Sequence, residues 1–436
     1  MFQGLKELRE RNWQDPPFNP RSLNAILITH AHIDHTGYLP RLVKQGFNGP
    51  IYCSKGTSDL LKILLPDAGR LQEEDAEYKN RHNITKHVPA LPLYTEKDAN
   101  ASLKLIKSGP NNGERFQVAP GIFASFSISG HILGSSLVLM EVEKAGDDKA
   151  GRRILFSGDL GHYDQPIIQD PTPPPACDYL LVESTYGDRL HDPEDPKIAL
   201  ARVINDAAKR DAPVLIPAFA VGRTQEIVYL IRELEDENAI PVLPVSVDSP
   251  MAAAASAAYS NRKEEHDAEY VSILRQHRHP LRTRSMSTAS SRAESKKLND
   301  AQGARIIISA SGMMTGGRVL HHAVRLVPDP EATLVFVGFQ AAGTTGRRIQ
   351  NGEPEVKILG QWIPVRCRIT KIGGFSAHAD WQEILNWLNS LGGNAPRLSF
   401  LTHGEPEAAT AMAGHIKDRF GWNVHVPQYG ERFEIS

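Results

Sequence analysis

The stretch that most constrains this chain is Thr29-His30-Ala31-His32-Ile33-Asp34-His35, directly after the apolar run Leu23-Asn24-Ala25-Ile26-Leu27-Ile28. A short run rich in leucine and isoleucine, with turn formers before it, reads as a buried strand. The histidines and aspartate then sit at the strand's carboxyl end, where open α/β sheets bind their ligands. Neutral imidazole and carboxylate are ligands that suit zinc. His30 and His32 are two apart, so in extended backbone they project to one side. Asp34 and His35 follow where the chain turns and can aim at a second, nearby point. One loop can therefore serve two metal ions. A chance run of surface histidines accounts for a lone histidine, but poorly for this spacing.

A chain of 436 residues predicts two or three domains. With 41% hydrophobic and 23% charged residues, the composition is that of a soluble globular protein. The net charge of −2 means that any binding to nucleic acid rests on a local basic channel, not on bulk charge. Cys53, Cys177 and Cys367 are far apart and show no CxxC spacing. They read as free thiols of a reducing, cytoplasmic setting. No apolar run approaches the length of a membrane span, and Met1 to Glu7 lacks a signal-peptide core.

Ligand-type residues recur at strand ends further along. Gly121–Ile128 alternates as a strand and leads to Ser129-Gly130-His131. Ile154-Leu155-Phe156-Ser157-Gly158-Asp159 and Leu180-Leu181-Val182-Glu183 each end an apolar run on a carboxylate. From about residue 188 the pattern becomes regular βαβ, with helices over 194–210 and 224–235. Residues 57–80 read as helix interrupted at Pro66. The basic run 271–297 reads as a solvated, mobile loop, with lining of an RNA path as the other reading. Short strands return after residue 355, leading to Phe375-Ser376-Ala377-His378-Ala379-Asp380 and Leu401-Thr402-His403-Gly404-Glu405. His82, His321 and His322 read as structural or surface residues.

These motifs resemble the metallo-β-lactamase superfamily, and within it the β-CASP branch of nucleic-acid-processing nucleases. The likeness covers nearly the whole chain. The resemblance implies an α/β fold: an αββα sandwich with an inserted β-CASP α/β domain. Its domains would be 1–187, 188–355 (the insert) and 356–436 (the sandwich resumed). It implies two Zn2+, one on His30, His32 and His131, the other on Asp34, His35 and His403, with Asp159 bridging. Two such ions about 3.5–4 Å apart activate a water and clamp a phosphate. His378 would then be the general acid for the leaving 3′-oxygen, with Glu183 orienting and charging it.

His403 in the last motif matches the RNA-processing members of the branch, so the expected substrate is RNA. The chain is similar to the compact bacterial endonuclease-like members and to the subunit that cleaves eukaryotic pre-mRNA 3′ ends. The other readings are a 5′-to-3′ exonuclease or DNA nuclease of the branch, a small-molecule hydrolase of the superfamily, and a non-catalytic RNA-binding form. A homodimer rests on the resemblance alone. Ser311-Gly312-Met313, followed by Gly316-Gly317-Arg318, sits at a strand-to-helix turn whose free N–H groups can take a phosphate. Arg223, at a helix start, is a second candidate for phosphate. One departure stands out. Members of the branch begin with a hairpin ending in an aspartate and then Cys-Gly-x-Phe-Gln-Gly, whereas this chain starts at Met1-Phe2-Gln3-Gly4. The expectation is a start upstream of Met1, or an impaired form.

Overall fold

The computed structural model describes the chain except residues 3–5, 86, 111, 144–150, 277 and 436. Two compact units emerge: Met1–Leu190 with His378–Ser436, and His191–Ala377. In chain order the strands are β1 (Ile26–Leu27), β2 (Ile51–Cys53), β3 (Ile106–Ser108), β4 (Phe116–Ala119), β5 (Ile122–Ile128), β6 (Ser136–Val142), β7 (Arg152–Phe156), β8 (Tyr179–Glu183), β9 (Pro213–Pro217), β10 (Val245–Asp248), β11 (Met286–Thr288), β12 (Arg305–Ser309), β13 (Thr333–Phe336), β14 (Glu355–Ile358), β15 (Gln361–Pro364), β16 (Arg368–Lys371), β17 (Leu398–Thr402) and β18 (Val424–His425).

The first unit holds two sheets. One is parallel with order β1-β2-β3; the other has seven strands in the order β18-β17-β8-β7-β6-β5-β4. Strands β7, β8 and β17 run parallel, and β5 runs the same way because β6 is antiparallel to both β5 and β7. The carboxyl ends of β5, β7, β8 and β17 therefore share one edge. Helices Trp381–Asn389 and Pro406–Phe420 cover one face of this sheet. Leu137, Leu155, Leu180, Val182, Trp387, Leu388, Met412 and Ile416 form the core between. Trp387 is 1% exposed and its indole N–H donates to the Thr172 carbonyl at 2.8 Å, so the ring is buried without an orphaned donor.

The second unit is built on a six-stranded sheet in the order β11-β10-β12-β9-β13-β16, parallel throughout. Every residue of Pro213–Pro217 is buried, as expected of a central strand covered on both faces. Helix Pro196–Lys209 starts on an Asp195 cap with proline at its first turn, and helix Arg223–Asp236 follows β9.

Three expectations change. The helix expected to break at Pro66 runs unbroken over Lys55–His82. The missing proline N–H removes one bond of the ladder, and burial of Leu60, Leu61, Leu64 and Leu65 outweighs that loss. The run 271–297 is not a loop: it contains the end of helix Ala268–Arg275, strand β11 and most of helix Arg292–Asp300. Glu294, its one acid, closes a capping box with Ser291, and Asp236 pairs with Arg278. Finally, residues 356–377 stay with the second unit and do not resume the first at 356, because β16 completes the six-stranded sheet beside β13. Among the described residues, no helix is long and apolar enough to cross a membrane. All three cysteines are free and buried.

Gly134 shows how tightly the loop after β5 is seated. Its φ is +79°, and a Cβ there would lie 2.0 Å from the Thr57 backbone nitrogen. Gly134→Ala combines left-handed strain with a backbone clash. Denaturant unfolding should show a loss of about 2 kcal/mol or more; an unchanged midpoint would mean that the loop moves aside freely.

Candidate metal centre

The functional edge is assembled from strand ends. His30 and His32 follow β1, His131 follows β5, Asp159 follows β7, Glu183 ends β8 and His403 follows β17. The loops carrying His131 and Asp159 lie against one another. Ser129 Oγ donates to the Asp159 carbonyl at 2.9 Å, and Gly161 N–H donates to the Ser129 carbonyl at 2.7 Å. A Cβ on Gly161 would lie 2.0 Å from the Gly130 oxygen, so glycine is needed for this approach. His378 reaches the same edge through pairing with Gly161, and Ala379 N–H donates to the Leu160 carbonyl at 2.8 Å. The next turn is locked by a capping box between Asp380 and Glu383, whose carboxylate also meets His162 Nδ1 at 2.6 Å.

The expected ligand residues converge as two groups around one carboxylate. In the first, His32 Nδ1 lies 3.2 Å from both His30 Nε2 and His131 Nε2. Asp159 Oδ2 is 3.3 Å from His30 Nε2 and 3.6 Å from His131 Nε2. In the second, His403 Nε2 lies 3.0 Å from His35 Nε2 and 3.2 Å from Asp34 Oδ2. Asp159 Oδ1 faces this side, 3.3 Å from His35 Nε2 and 3.4 Å from His403 Nδ1.

Asp159 is 2% exposed, and its Oδ1 is buried without a hydrogen-bond partner. A buried carboxylate oxygen is costly unless a charge meets it. Ring nitrogens crowded at 3.0–3.2 Å pose the same problem, since neutral imidazoles turn lone pairs toward a common point. A cation with nitrogen and oxygen ligands resolves both, so the residues present fit bound metal.

The electrostatics differ between the groups. Burial pushes His32 down to about 3, and lowers His30 and His131 as well. These rings are neutral, as metal ligands must be. On the other side burial is outweighed. Asp159 and Asp34 raise His35 to about 10, and Asp159 also raises His403. Burial works against ionised Asp34 and Asp159, yet both are held below the usual carboxylate range, Asp34 by His35 and His403, Asp159 chiefly by His30 and His403.

His378 Nδ1 lies 3.1 Å from both Glu183 oxygens. Glu183 is 1% exposed and accepts from Leu160 N–H at 2.6 Å, which fixes its carboxylate. Burial would lower His378, but the Glu183 charge outweighs it and pushes the imidazole up to about 9.

Two outer contacts escaped the reading of the sequence. Thr185 Oγ donates to the His403 carbonyl at 3.0 Å and faces His403 Nδ1 at 3.1 Å. With its proton so engaged it accepts from Nδ1–H, which turns Nε2 toward Asp34 and His35. Thr29 Oγ meets His30 Nδ1 at 3.2 Å. Spacing carries no signal for such threonines, because only the folded loop sets the ring they face.

The candidate substrate residues lie in the second unit. The N–H groups of Gly312 and Met313 have no acceptor among the described residues, whereas Ser311 Oγ is engaged with Thr315 and Gly316. Arg318 is committed elsewhere: Nη1 donates to Asp248 Oδ1 at 2.7 Å and to the Ala289 carbonyl at 2.8 Å, and Nη2 to the Ser290 carbonyl at 3.2 Å. Arg223 pairs with Glu226 and lies over the Phe375 ring. His322, fully buried, meets Asp248 Oδ2 at 2.6 Å, in keeping with a structural role.

Comparison with known proteins matches three family models along the chain. A beta-lactamase superfamily domain matches residues 2–136, a Beta-Casp domain 224–349, and a Zn-dependent metallo-hydrolase RNA specificity domain 362–427. Ribonuclease TTHA0252 of Thermus thermophilus is 34% identical over 432 residues, covering 99% of this chain and 92% of that protein. Transcription termination factor FttA of Methanocaldococcus jannaschii is 29% identical over 94% of this chain, and that of Pyrococcus horikoshii 31% over 93%. The chain spans 63% and 60% of the length of these two archaeal factors.

The contrast between the groups predicts two kinds of metal uptake. His35 Nε2 and His403 Nε2 are 3.0 Å apart, room for one shared proton. Because His35 is raised to about 10, that proton is bound at neutral pH and a cation must expel it. Uptake there strengthens as pH rises toward that value, while uptake at the His30, His32 and His131 group is flat near neutrality. Calorimetric titration of metal-free protein with Zn2+ in buffers of different ionisation heat should show about one proton released in the weaker event and none in the tighter. Equal release in both would refute the asymmetry.

Proposed function

The chain belongs to the metallo-β-lactamase superfamily, in its β-CASP branch, and from that premise we propose that it is a zinc-dependent ribonuclease that cuts RNA internally. One observation carries the reading: two ligand groups meet on the buried Asp159 carboxylate while the His378–Glu183 pair stands beside them, with His378 Nδ1 3.9 Å from Asp159 Oδ2. A small-molecule hydrolase of the superfamily needs no such pair. Two Zn2+, on His30, His32 and His131 and on Asp34, His35 and His403 with Asp159 between, would supply Lewis acidity and lower the pKa of a water.

The chain's own residues do the rest. His378 carries a proton at neutral pH because Glu183 stabilises the imidazolium, and it delivers that proton to the departing 3′-oxygen. Glu183 never leaves its place, since Leu160 N–H holds one oxygen and Thr185 N–H faces the other at 3.4 Å. Asp159 stays ionised and fixes both ligand groups. The free N–H groups of Gly312 and Met313 take a substrate phosphate. Arg223 and Arg318 are left out of that role because their guanidinium groups already have partners. A homodimer and a cytoplasmic setting are carried over from the family; light scattering and fractionation test them.

Three measurements test the mechanism. A circular RNA should be opened and the matching DNA spared, and the opening should be abolished by a chelator and restored by zinc. Cleavage only from the 5′ end of linear RNA would replace the internal cut with an exonuclease. His378→Ala should lower kcat by about 10²–10⁴-fold with metal content unchanged. Glu183→Gln removes the charge that holds the proton on His378. A general acid loses activity as pH rises through its pKa, so the alkaline limb of kcat should move to lower pH; an unmoved limb would exclude His378 as the acid.

A further inference from the structure

The carboxyl end of the six-stranded sheet carries two side chains that the mechanism does not use. Phe219 follows β9 by two residues and Phe339 follows β13 by three, and these strands are neighbours in the sheet. Phe219 is 44% exposed and Phe339 45% exposed. Neither ring stacks on another aromatic side chain among the described residues. The position is where parallel sheets bind ligands, and large exposed rings there are not part of the packed core.

The two loops are joined through the glycine-rich turn. A Cβ on Gly312 would lie 3.2 Å from Phe219 Cδ2 and 3.1 Å from the Phe219 nitrogen, so the ring rests against the turn's backbone. Gln340, 3% exposed, donates from Nε2 to the Gly312 carbonyl at 3.0 Å and to the Gly338 carbonyl at 3.3 Å. This ties the Phe339 loop to the same turn. Gly346 N–H donates to the Met313 carbonyl at 3.2 Å, which brings the start of helix Thr345–Gln350 to the turn. The next residue, Arg347, is exposed and has no acidic partner among the described residues, whereas Arg348 pairs with Glu353. Two exposed rings, free amide N–H groups and the helix start that carries Arg347 thus belong to loops joined at one turn.

We propose that Phe219 and Phe339 form a stacking surface for unpaired nucleobases of the substrate, with Arg347 contacting the phosphate between them. Planar rings recognise bases without reading sequence, and the positive charge and amide donors match the anionic backbone that accompanies them. The occupant is a single-stranded stretch of RNA. This rests on the reading of the substrate as RNA and adds where the strand is gripped.

The test is binding of fluorescent single-stranded ribo-oligonucleotides to the zinc-loaded protein in a His378→Ala background, so that nothing is cut. A second probe has the same phosphate backbone with abasic sites. Phe219→Leu and Phe339→Leu should each weaken the base-bearing probe about 5- to 100-fold and leave the abasic probe unchanged. Phe219→Trp and Phe339→Trp should keep the affinity. Arg347→Glu should weaken both probes alike and reduce the salt slope by about one. Base-bearing and abasic probes that bind the leucine variants as well as the parent would overturn the stacking surface and leave the nuclease reading intact. Failure of the unmutated protein to bind or cut any RNA would overturn the nuclease reading, and this surface with it.

Discussion

The structure depends on one buried carboxylate. Asp159 is 2% exposed and ionised, with one oxygen turned to each ligand group. A charge in such a place is strongly unfavourable unless opposite charge meets it. Four strand ends and the His378 loop are brought to one edge around it, and the contacts between loops leave no slack. Glycine is required where Gly161 passes Gly130. The fold thus stores an electrostatic demand at a fixed point, and imidazole protons or bound cations are what can satisfy it.

That demand is met unequally. The His30 and His131 side chains are 1% exposed, while those of His35, His403 and Asp34 are 20%, 31% and 41% exposed. On the dry side desolvation dominates and the rings are neutral. On the wetter side the two aspartates dominate and raise both rings, which share a proton. The same residue type therefore takes opposite states a few ångströms apart, decided by burial. His378, half-buried like His35, follows the second pattern because Glu183 is its immediate partner and is itself held by Leu160 N–H.

Much of the site was legible in the sequence because metal chemistry restricts residue types. The expected ligand residues fall where the strand pattern puts them, and Glu183 and His378 could be paired only through the family motifs, since 195 residues separate them. What could not be read was context. Thr185 acts only because the folded loop turns its hydroxyl to His403. Pro66 forecast a break that helix packing overrode. The run 271–297 looked like a loop by charge, yet Glu294 and Asp236 neutralise part of it and the backbone forms two helices and a strand. Arg318 looked free in a glycine-rich turn, but its partner Asp248 is 70 residues away in sequence.

These arginines also bear on how a chain of net charge −2 holds a polyanion. At the carboxyl end of the six-stranded sheet, Arg223, Arg318 and Arg348 each have an acidic partner, and Arg347 has none among the described residues. A paired guanidinium offers a phosphate little, because its attraction is offset by the adjacent carboxylate. Short-range contacts keep their strength at physiological ionic strength, where exposed charges more than about 8 Å apart are screened. Backbone N–H groups and aromatic faces are such contacts. Both are sequence-tolerant.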